Sequence, residues 1–313
     1  MSGRTGVAAG SRAIVRRAKA SLLGLAVGDA LGATTEFMDP EEIRRQYGVH
    51  DRIRGGGWLN LPPGRVTDDT EMSQCIARAI LEKGGWDLPA VAGQFARWLR
   101  GNPVDVGSTC RRGIRAFILK RQLSTPPNEW DAGNGAAMRV APVALFALGD
   151  EELLSRLAVE QARLTHNHPL SDAASVTVGR MVQRAVLGTP IVALRAAADD
   201  LAGRHAEFRF EGDPGGATAY VVDTLRTAFH DFFSTRTFEE CLVRIVNRGG
   251  DADTTGAIAG AIAGAHYGME GIPRRWVDAL DRSVREDLAG TAEELVRLSP
   301  LFRNRAPDAE DRR

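Results

Sequence analysis

The stretch NRGGDADTTGAIAGAIAGA, residues 247–265, joins a charged entrance to an apolar run of small residues. Glycines at 256, 260, 264 and 268 recur every fourth position, with alanines at 257, 261 and 265 beside them. Positions four residues apart lie on one side of a helix, so a neighbouring helix can approach that side closely. Residues 24–32, GLAVGDALG, repeat the pattern. Both stretches therefore predict helices that pack closely through small residues.

Helical periodicity recurs along most of the chain. Apolar residues at 91, 95, 98 and 99, and again at 72, 76, 79 and 80, follow the i, i+4, i+7, i+8 spacing of one buried helix face. Further helices are predicted at about residues 12–33, 137–148, 152–164, 171–187, 218–233, 238–247 and 275–297. Alternating, β-branched runs bounded by hairpin turns are missing from the sequence. These patterns predict an all-α fold.

The length and the distribution of residue types bear on domain organisation. A chain of 313 residues can form one large domain or two ordinary ones. No break in composition and no long linker divides this chain, and a charged tail follows Phe302. We therefore predict a single domain over residues 1–313, with flexible tails at about residues 1–12 and 303–313.

The overall charge and the cysteines exclude several classes of function. Lysine plus arginine and aspartate plus glutamate number 40 each, so a neutral chain offers no general attraction to nucleic acid or acidic lipid. The three cysteines lie far apart, which argues against a disulfide framework and a cysteine zinc site. The most apolar stretch, residues 256–269, is shorter than the ~20 residues of a membrane helix. With no export signal, we predict a cytoplasmic protein without a transmembrane segment.

Three acidic clusters lie at predicted boundaries between loops and helices: Asp29 with Glu36, TDDTE at 67–71 and DADTT at 251–255. One interpretation is helix capping, in which these side chains accept hydrogen bonds from the free N–H groups of their own helices. Capping needs one acceptor for each helix, however, and the last two clusters each supply two carboxylates with hydroxyls. The surplus charge favours a bound cation. Ligands that are all oxygen favour Mg²⁺, Mn²⁺ or Ca²⁺ over zinc or copper.

An EF-hand is the obvious local calcium motif to compare with residues 251–262. Asp251, Asp253, Thr255 and Gly256 match its positions 1, 3, 5 and 6, but Ile262 occupies position 12, where a bidentate glutamate is required. The EF-hand interpretation therefore fails. A cation site assembled from two distant helix starts is the better hypothesis.

Two further segments have the residue types of a ligand site. DAGNGAAMR, residues 131–139, places flexible glycine and asparagine before a helical pattern, which suits either a simple turn or an anion site built from free N–H groups. THNHP, residues 165–169, could bind zinc through two histidines, but no third ligand is evident nearby, so hydrogen-bonding or substrate-contact histidines are favoured. No Gly-x-Ser-x-Gly, Walker or dinucleotide motif is present.

Five segments together resemble the ADP-ribosylglycohydrolase family. In chain order they are GLAVGDALGATTEF, VTDDTEM, GNGAAMRVAP, THNHPLSDAA and NRGGDADTTGAIAGAIAGA. The resemblance covers residues ~18 to ~290, and its two acidic motifs are far more specific together than either cluster alone. It implies a compact, all-helical single domain that holds two divalent cations, Mg²⁺ or Mn²⁺, at its centre.

The resemblance also implies roles for individual residues, carried over by motif. The implied metal ligands are Thr67, Asp68, Asp69, Asp251, Asp253 and Thr254. Two carboxylates, Glu36 and Asp105, are the implied catalytic groups. The implied substrate-binding residues are Gly133, Asn134, Gly135, Ala136, His166 and Tyr220.

The activity that the resemblance implies is hydrolysis of the bond between ADP-ribose and an arginine of a protein. GNPVDVG, DAGNGAAMR and THNHPLSDAA together are most similar to bacterial members that act on the nitrogenase iron protein. For those members the expected partners are a PII-type signalling protein and an ammonium transporter, with reversible association with the membrane. Three alternatives stay open: hydrolysis of another linkage such as serine-linked ADP-ribose, a non-catalytic relative that only binds ADP-ribose, and a metal-dependent phosphohydrolase.

Overall fold

The computed structural model describes residues 3–303, with side chains from residue 10 onward. This part of the chain is built from helices and has no β-strand, so the predicted all-α fold is confirmed. The helices are α1 (Gly3–Gly32), α2 (Pro40–Tyr47), α3 (Asp68–Lys83), α4 (Leu88–Arg100), α5 (Ser108–Lys120), α6 (Ala141–Phe146), α7 (Glu151–Arg163), α8 (Pro169–Val186), α9 (Ile191–Arg204), α10 (Val221–Ser234), α11 (Phe238–Val246), α12 (Ala252–Tyr267), α13 (Arg274–Ala279), α14 (Arg282–Arg297) and α15 (Pro300–Arg303). Two 3₁₀-helices, Glu129–Asp131 and Ala206–Phe208, lie between them.

Helices α1 and α12 pack antiparallel through their glycines at the centre of the molecule. A Cβ on Gly28 would lie 2.0 Å from the carbonyl oxygen of Gly256, and a Cβ on Gly260 would lie 2.1 Å from that of Gly24. Only glycine fits at such a separation. The close packing predicted from both small-residue patterns is therefore present, and each pattern packs against the other. This pairing brings the end of α1 to the start of α12.

The fourth glycine of the pattern has a different role. Helix α12 ends at Tyr267, and Gly268 follows as its C-terminal cap with a φ of 73°. Glycine adopts a positive φ without the steric cost that a Cβ imposes. The packing surface of α12 therefore ends at Gly264, whose Cβ position faces the carbonyl oxygen of Ala20 at 2.1 Å.

The start of α3 is capped by a residue of α1, which differs from the capping predicted within α3. Asp29 accepts hydrogen bonds from the backbone N–H groups of Thr67 (3.0 Å) and Thr70 (3.1 Å) and from the Thr70 hydroxyl (2.5 Å). Thr67 itself makes no side-chain cap to its helix. Asp29 therefore satisfies the free N–H groups of α3, and Asp68 and Asp69 are not needed for capping.

Some predicted helix boundaries are wrong. Helix α1 begins at Gly3, earlier than the predicted start at residue 12, and residues 275–297 form two helices, α13 and α14. The chain is extended at Leu280, because the N–H of Asp281 donates to the carbonyl of Gly64 (3.1 Å) from the segment before α3. Of the predicted tails, residues 1–2 and 304–313 lie outside the described residues, whereas residues 3–12 belong to α1 and Arg303 ends α15. The single domain stays a prediction.

Two features agree with the predictions from composition. Cys75, Cys110 and Cys241 are all free and buried. Within residues 3–303, no helix is long and apolar enough to cross a membrane.

Candidate active site

The end of α1 and the starts of α3 and α12 converge on one buried acidic cluster. Two backbone hydrogen bonds, from the N–H of Phe37 to the carbonyl of Gly250 (2.7 Å) and from the N–H of Gly250 to the carbonyl of Met38 (3.0 Å), hold the chain after α1 against the chain before α12. The six carboxylates of the cluster, none more than 7% exposed, are Asp29, Glu36, Asp68, Asp69, Asp251 and Asp253. The fold therefore brings together acidic motifs that lie far apart in sequence.

Three of these carboxylates have the geometry of a metal site. Glu36, Asp251 and Asp253 each offer an oxygen, and these oxygens all lie within 4.8 Å of one another. Such spacing allows one cation to bind several carboxylates, and oxygen ligands favour hard ions such as Mg²⁺, Mn²⁺ or Ca²⁺. The buried acidic group could therefore hold a metal ion.

Burial makes the negative charges of the cluster costly without a counterion. Burial, together with the nearby charges of Asp251 and Asp105, raises the pKa of Glu36 to about 8, although a hydrogen bond from Trp58 opposes the shift. Burial, with the charge of Asp105 as the next cause, raises the pKa of Asp68 to about 8. A cation bound among these carboxylates would favour their charged forms and reverse this effect.

Asp69 and Asp253 are two almost fully buried members of the cluster. Burial holds the pKa of both carboxyl groups well above the usual range, and neighbouring carboxylates add to the effect. The Oδ1 atom of Asp69 is buried without a hydrogen-bond partner. Its Oδ2 atom lies 3.1 Å from the hydroxyl of Thr67 and 3.4 Å from that of Thr254. A buried carboxylate oxygen without a donor suits a cation ligand, so these residues fit the metal that the sequence predicts.

The glycine-rich segment at 133–135 forms one wall of a cavity of about 280 Å³ beside the cluster. The side chain of Asn134 donates to Asp251 Oδ2 (2.7 Å) and to the hydroxyl of Thr224 (2.9 Å), which fixes the segment to the acidic floor. Within the described residues, the backbone N–H groups of Gly133 and Gly135 donate no hydrogen bond to the protein. Free N–H groups beside a cavity can bind an anion.

His166 packs against the same glycine segment. A Cβ on Gly133 would lie 2.9 Å from His166 Nε2, and a Cβ on Gly135 would lie 2.8 Å from its Cε1 atom, so the imidazole can lie here only because both residues are glycine. Burial, and then the positive charges of Arg139 and Arg112, hold the pKa of His166 well below its usual range. The ring is therefore neutral at physiological pH and carries one proton.

A hydrogen-bond chain favours one tautomer of this imidazole. Arg139 Nη2 lies 2.8 Å from the hydroxyl oxygen of Thr165, which lies 2.7 Å from His166 Nδ1. A guanidinium can only donate, so the Thr165 oxygen accepts from Arg139 and its own proton is available for Nδ1. This arrangement favours the proton on Nε2, the nitrogen that faces the glycine segment. His168, in contrast, caps α8 by accepting from the N–H of Leu170 (3.1 Å).

Asp105 and two aromatic residues lie at the mouth of the cavity. Asp105 is in the loop between α4 and α5 and accepts from the N–H of Val106 (2.8 Å). Phe37 and Trp58 are 64% and 55% exposed, with ring centroids 5.3 Å apart. The Trp58 indole N–H donates to Glu36 Oε2 (2.6 Å), and Phe37 adopts a φ of 62°, which is uncommon for a bulky residue. The mouth thus combines carboxylates with exposed aromatic rings.

The structure places the residues singled out in the sequence at different depths. Those that line the cavity are Glu36, Asp68, Asp105, Gly133, Asn134, Gly135, His166, Asp251, Asp253 and Thr254. Thr67 and Asp69 are fully buried and do not line it. Ala136 is also buried and points its carbonyl towards Gln161 Nε2 (2.9 Å), and Tyr220 is 40% exposed and pairs through its backbone with Gly133.

The sequence does not indicate the roles of four residues that organise this site. Asp29 belongs to one of the three acidic clusters, but its role as the cap of α3 depends on tertiary structure. Trp58, Arg139 and Thr165 are isolated residues whose partners lie elsewhere in the chain, and the only available signal was that Arg139 and Thr165 belong to DAGNGAAMR and THNHP.

Comparisons with known proteins place this fold and site in a family. The family model for ADP-ribosylglycohydrolase matches residues 11–305. The chain belongs to the ADP-ribosylglycohydrolase family, as the resemblance of its motifs predicted. Over 285 residues it is 50% identical to the ADP-ribosyl-[dinitrogen reductase] glycohydrolase of Rhodospirillum rubrum, a match that covers 91% of this chain and 97% of that protein.

More distant relatives and a solved structure agree with this placement. The chain is 31% identical to the ADP-ribosylarginine hydrolase Tri1 of Serratia proteamaculans, over 91% of this chain and 80% of that protein. A solved structure described as an ADP-ribosylglycohydrolase-related protein complex superposes with a TM-score of 0.80 at 34% identity, covering 92% of this chain and 99% of that one. The fold is therefore shared along nearly the whole chain.

Proposed function

We propose that this chain is a metal-dependent hydrolase that removes ADP-ribose from an ADP-ribosylated arginine, and that its substrate is the nitrogenase iron protein, dinitrogen reductase. The observation that carries the proposal is 50% sequence identity to a Rhodospirillum rubrum enzyme named for this reaction, in a match that covers 97% of that enzyme. The convergence of both acidic motifs on one cavity supports it.

Two divalent cations, Mn²⁺ or Mg²⁺, are proposed as cofactors. The residues proposed to hold them are Thr67, Asp68 and Asp69 from the start of α3, and Asp251, Asp253 and Thr254 from the start of α12. The unpartnered oxygen of Asp69 and the oxygens of Glu36, Asp251 and Asp253 within 4.8 Å of one another support this assignment. When bound, the cations supply positive charge that can hold the ribose hydroxyls and lower the pKa of water.

Protonation of the leaving group is the main chemical requirement. Cleavage between ribose C1 and an arginine nitrogen releases a guanidine, which is so strong a base that it leaves readily only as guanidinium. A carboxyl at the cavity must keep or deliver that proton. Glu36 and Asp105 both lie at the cavity, and burial raises the pKa of each. Glu36 or Asp105 is proposed as the proton-handling group, and Trp58 orients Glu36.

The diphosphate of ADP-ribose is proposed to bind against the glycine segment. The free N–H groups of Gly133 and Gly135 and the Nε2 proton of His166 together form a donor surface at the cavity wall. Asn134 and Ala136 are proposed to shape this segment. Tyr220 lies beside it at the surface, where its ring can contact the ligand.

The remaining biological context is proposed from the sequence composition for the domain and the location, and from the resemblance for the partners. It comprises a single domain with flexible tails, a cytoplasmic location, and reversible association with the membrane through a PII-type signalling protein and an ammonium transporter. Co-purification of the chain with a PII protein, with and without ammonium treatment of the cells, would test this part separately from the chemistry.

Small conjugates test the chemistry. Purified protein with Mn²⁺ is incubated with ADP-ribosyl-arginine and, in parallel, with serine-linked ADP-ribose, and the products are separated by chromatography. We expect intact ADP-ribose from the arginine conjugate only. Release from the serine conjugate alone would assign another linkage, release of phosphate would assign a phosphohydrolase, and binding without release would assign a non-catalytic relative.

A further inference from the structure

The surface formed by α4, α5 and their connecting loop is strongly basic on a chain that is neutral overall. Residues 88–128 contain one acidic residue, Asp105. Seven basic residues lie in the same range: Arg97, Arg100, Arg111, Arg112, Arg115, Lys120 and Arg121. The charge of this region is therefore balanced elsewhere in the chain, and the region itself presents positive charge to solvent.

Several of these cations are already engaged within the protein. Arg97 pairs with Glu82, Arg112 pairs with the buried Asp131, and the Arg121 guanidinium lies over the ring of Phe117. The engaged cations leave a smaller set of arginines whose charges are available to a partner.

Three arginines remain available. Arg100, Arg111 and Arg115 are exposed, and among the described residues none has a carboxylate partner within 4.0 Å. They line a groove of about 500 Å³, whose apolar lining is Leu99, Ile118 and Leu119, the last 78% exposed. The groove therefore presents unpaired guanidinium groups around an apolar floor.

The groove is continuous with the candidate active site through α5. Helix α5 begins at Ser108, which lines the cavity, and Arg111 and Arg115 follow on one face of the same helix. A rise of ~1.5 Å per residue puts Arg115 about 10 Å along the axis from Ser108. Cys110 lines the cavity and Arg111, the next residue of α5, lines the groove, so the groove begins close to the cavity.

The cavity and the groove suit two parts of one substrate. A cavity of about 280 Å³ has the size of a small-ligand site, so a protein that carries the ADP-ribose must lie across the mouth. We propose that the groove docks an acidic segment of the ADP-ribosylated protein, with carboxylates on Arg100, Arg111 and Arg115 and an apolar side chain on Leu119. Arginine pairs bidentately with carboxylates, which fixes orientation as well as charge. This inference rests on the proposed function.

A matched pair of double variants tests the docking surface. Arg100→Gln/Arg115→Gln removes two charges of the groove, and Arg12→Gln/Arg236→Gln removes two exposed charges from α1 and from the α10–α11 connection. Kinetics are measured with arginine-ADP-ribosylated dinitrogen reductase and with ADP-ribosyl-arginine. For the groove variant we expect KM for the protein substrate to rise about tenfold at low ionic strength. The kcat for this substrate and both kinetic constants for ADP-ribosyl-arginine should stay unchanged. The difference should shrink as salt screens the charges.

Defined outcomes would overturn the docking proposal. The first is an unchanged KM of the groove variant for the protein substrate. The second is an equal rise of this KM in the control variant, and the third is an equal rise of the KM for ADP-ribosyl-arginine in the groove variant. A loss of binding to phosphatidylglycerol vesicles with no change in KM would assign the groove to lipid instead. If wild-type protein cleaves neither substrate, the proposed function fails. The docking proposal is then tested by the affinity of the immobilised chain for the ADP-ribosylated protein. Equal affinity of the groove variant and the control variant would overturn the docking proposal.

Discussion

Asp29 and Asp69 are both fully buried, yet their surroundings assign them different roles. Asp29 accepts hydrogen bonds from Thr67 and Thr70, whereas Asp69 keeps one oxygen without any donor. A carboxylate whose oxygens both accept hydrogen bonds stabilises the fold, whereas a buried carboxylate oxygen without a donor is free for a cation. The sequence identified both as acidic residues near helix boundaries but could not separate them, because the donors to Asp29 come from a segment 38–41 residues away.

This difference predicts opposite effects of two neutral substitutions. Asp29→Asn replaces an acceptor by an amide that faces N–H and O–H donors, so the metal-free protein should lose ~2–3 kcal/mol of unfolding free energy. Asp69→Asn should leave that stability unchanged or raised but weaken Mn²⁺ binding at least tenfold. Urea unfolding in EDTA and titration calorimetry with Mn²⁺ measure the two effects. Equal destabilisation by both substitutions would contradict the assignment.

The hydrogen-bond chain from Arg139 through Thr165 to His166 predicts a defined tautomer. ¹⁵N NMR of the wild-type protein should show His166 protonated on Nε2 and not on Nδ1. Thr165→Val removes the proton donated to Nδ1, so a mixture of tautomers and a KM for ADP-ribosyl-arginine raised several-fold are expected. Thr165→Ser keeps the hydroxyl, so this variant should show the wild-type tautomer and the wild-type KM. A wild-type ring protonated on Nδ1 would rule out this role for the chain of hydrogen bonds.

The pairing of helices determines where the acidic motifs meet. The four-residue spacing of glycines predicted close packing of α1 and α12 because that spacing is a local property of the sequence. The break between α13 and α14 could not be predicted in this way, since it depends on a hydrogen bond to Gly64 from a distant segment. Helix α9 is not among the helices predicted from the sequence, although its buried residues Leu194, Ala197, Ala198 and Leu201 follow the spacing of one helix face.

The glycine contact between α1 and α12 predicts a large effect for one added methyl group. Gly28→Ala places a Cβ 2.0 Å from the carbonyl oxygen of Gly256, so the helices must separate, at a cost of ~3 kcal/mol or more. Gly93→Ala, inside α4 with no atom within 4 Å of its Cβ position, should instead stabilise by up to ~1 kcal/mol. Urea unfolding of both variants measures the contrast. A loss below 1 kcal/mol in Gly28→Ala would show that the helices can move apart easily.

At the scale of the whole molecule, the motifs predicted the family because they recur in order over most of the chain. The family match at residues 11–305 exceeds the range of ~18 to ~290 inferred from those motifs. The basic groove could not be predicted, because Arg100 and Arg115 lie on different helices. Arg111 by itself is typical of a solvated helix face. Charge that is spread over several elements becomes a surface only in the folded protein.

The buried acidic cluster predicts how global stability depends on pH. Burial raises the pKa of Glu36 and Asp68 to about 8, so the folded state binds these protons more tightly than the unfolded state does. The contribution of these two groups to the unfolding free energy of the metal-free protein should therefore be greatest below about pH 4 and fall as pH rises towards 8. Thermal unfolding in EDTA at pH 5, 6, 7 and 8 measures this fall. Mn²⁺ should restore stability most at pH 8, and a Tm in EDTA that rises over this range would contradict the account.

The central claim is that this cluster supports metal-dependent removal of ADP-ribose from a protein arginine. The most direct test is mass spectrometry of arginine-ADP-ribosylated dinitrogen reductase after incubation with the chain and Mn²⁺, with EDTA and Asp253→Asn as controls. We predict loss of the modification and release of intact ADP-ribose with wild-type protein and Mn²⁺ only. A modification that survives this treatment, or one that is removed equally well in EDTA or by Asp253→Asn, would contradict the claim.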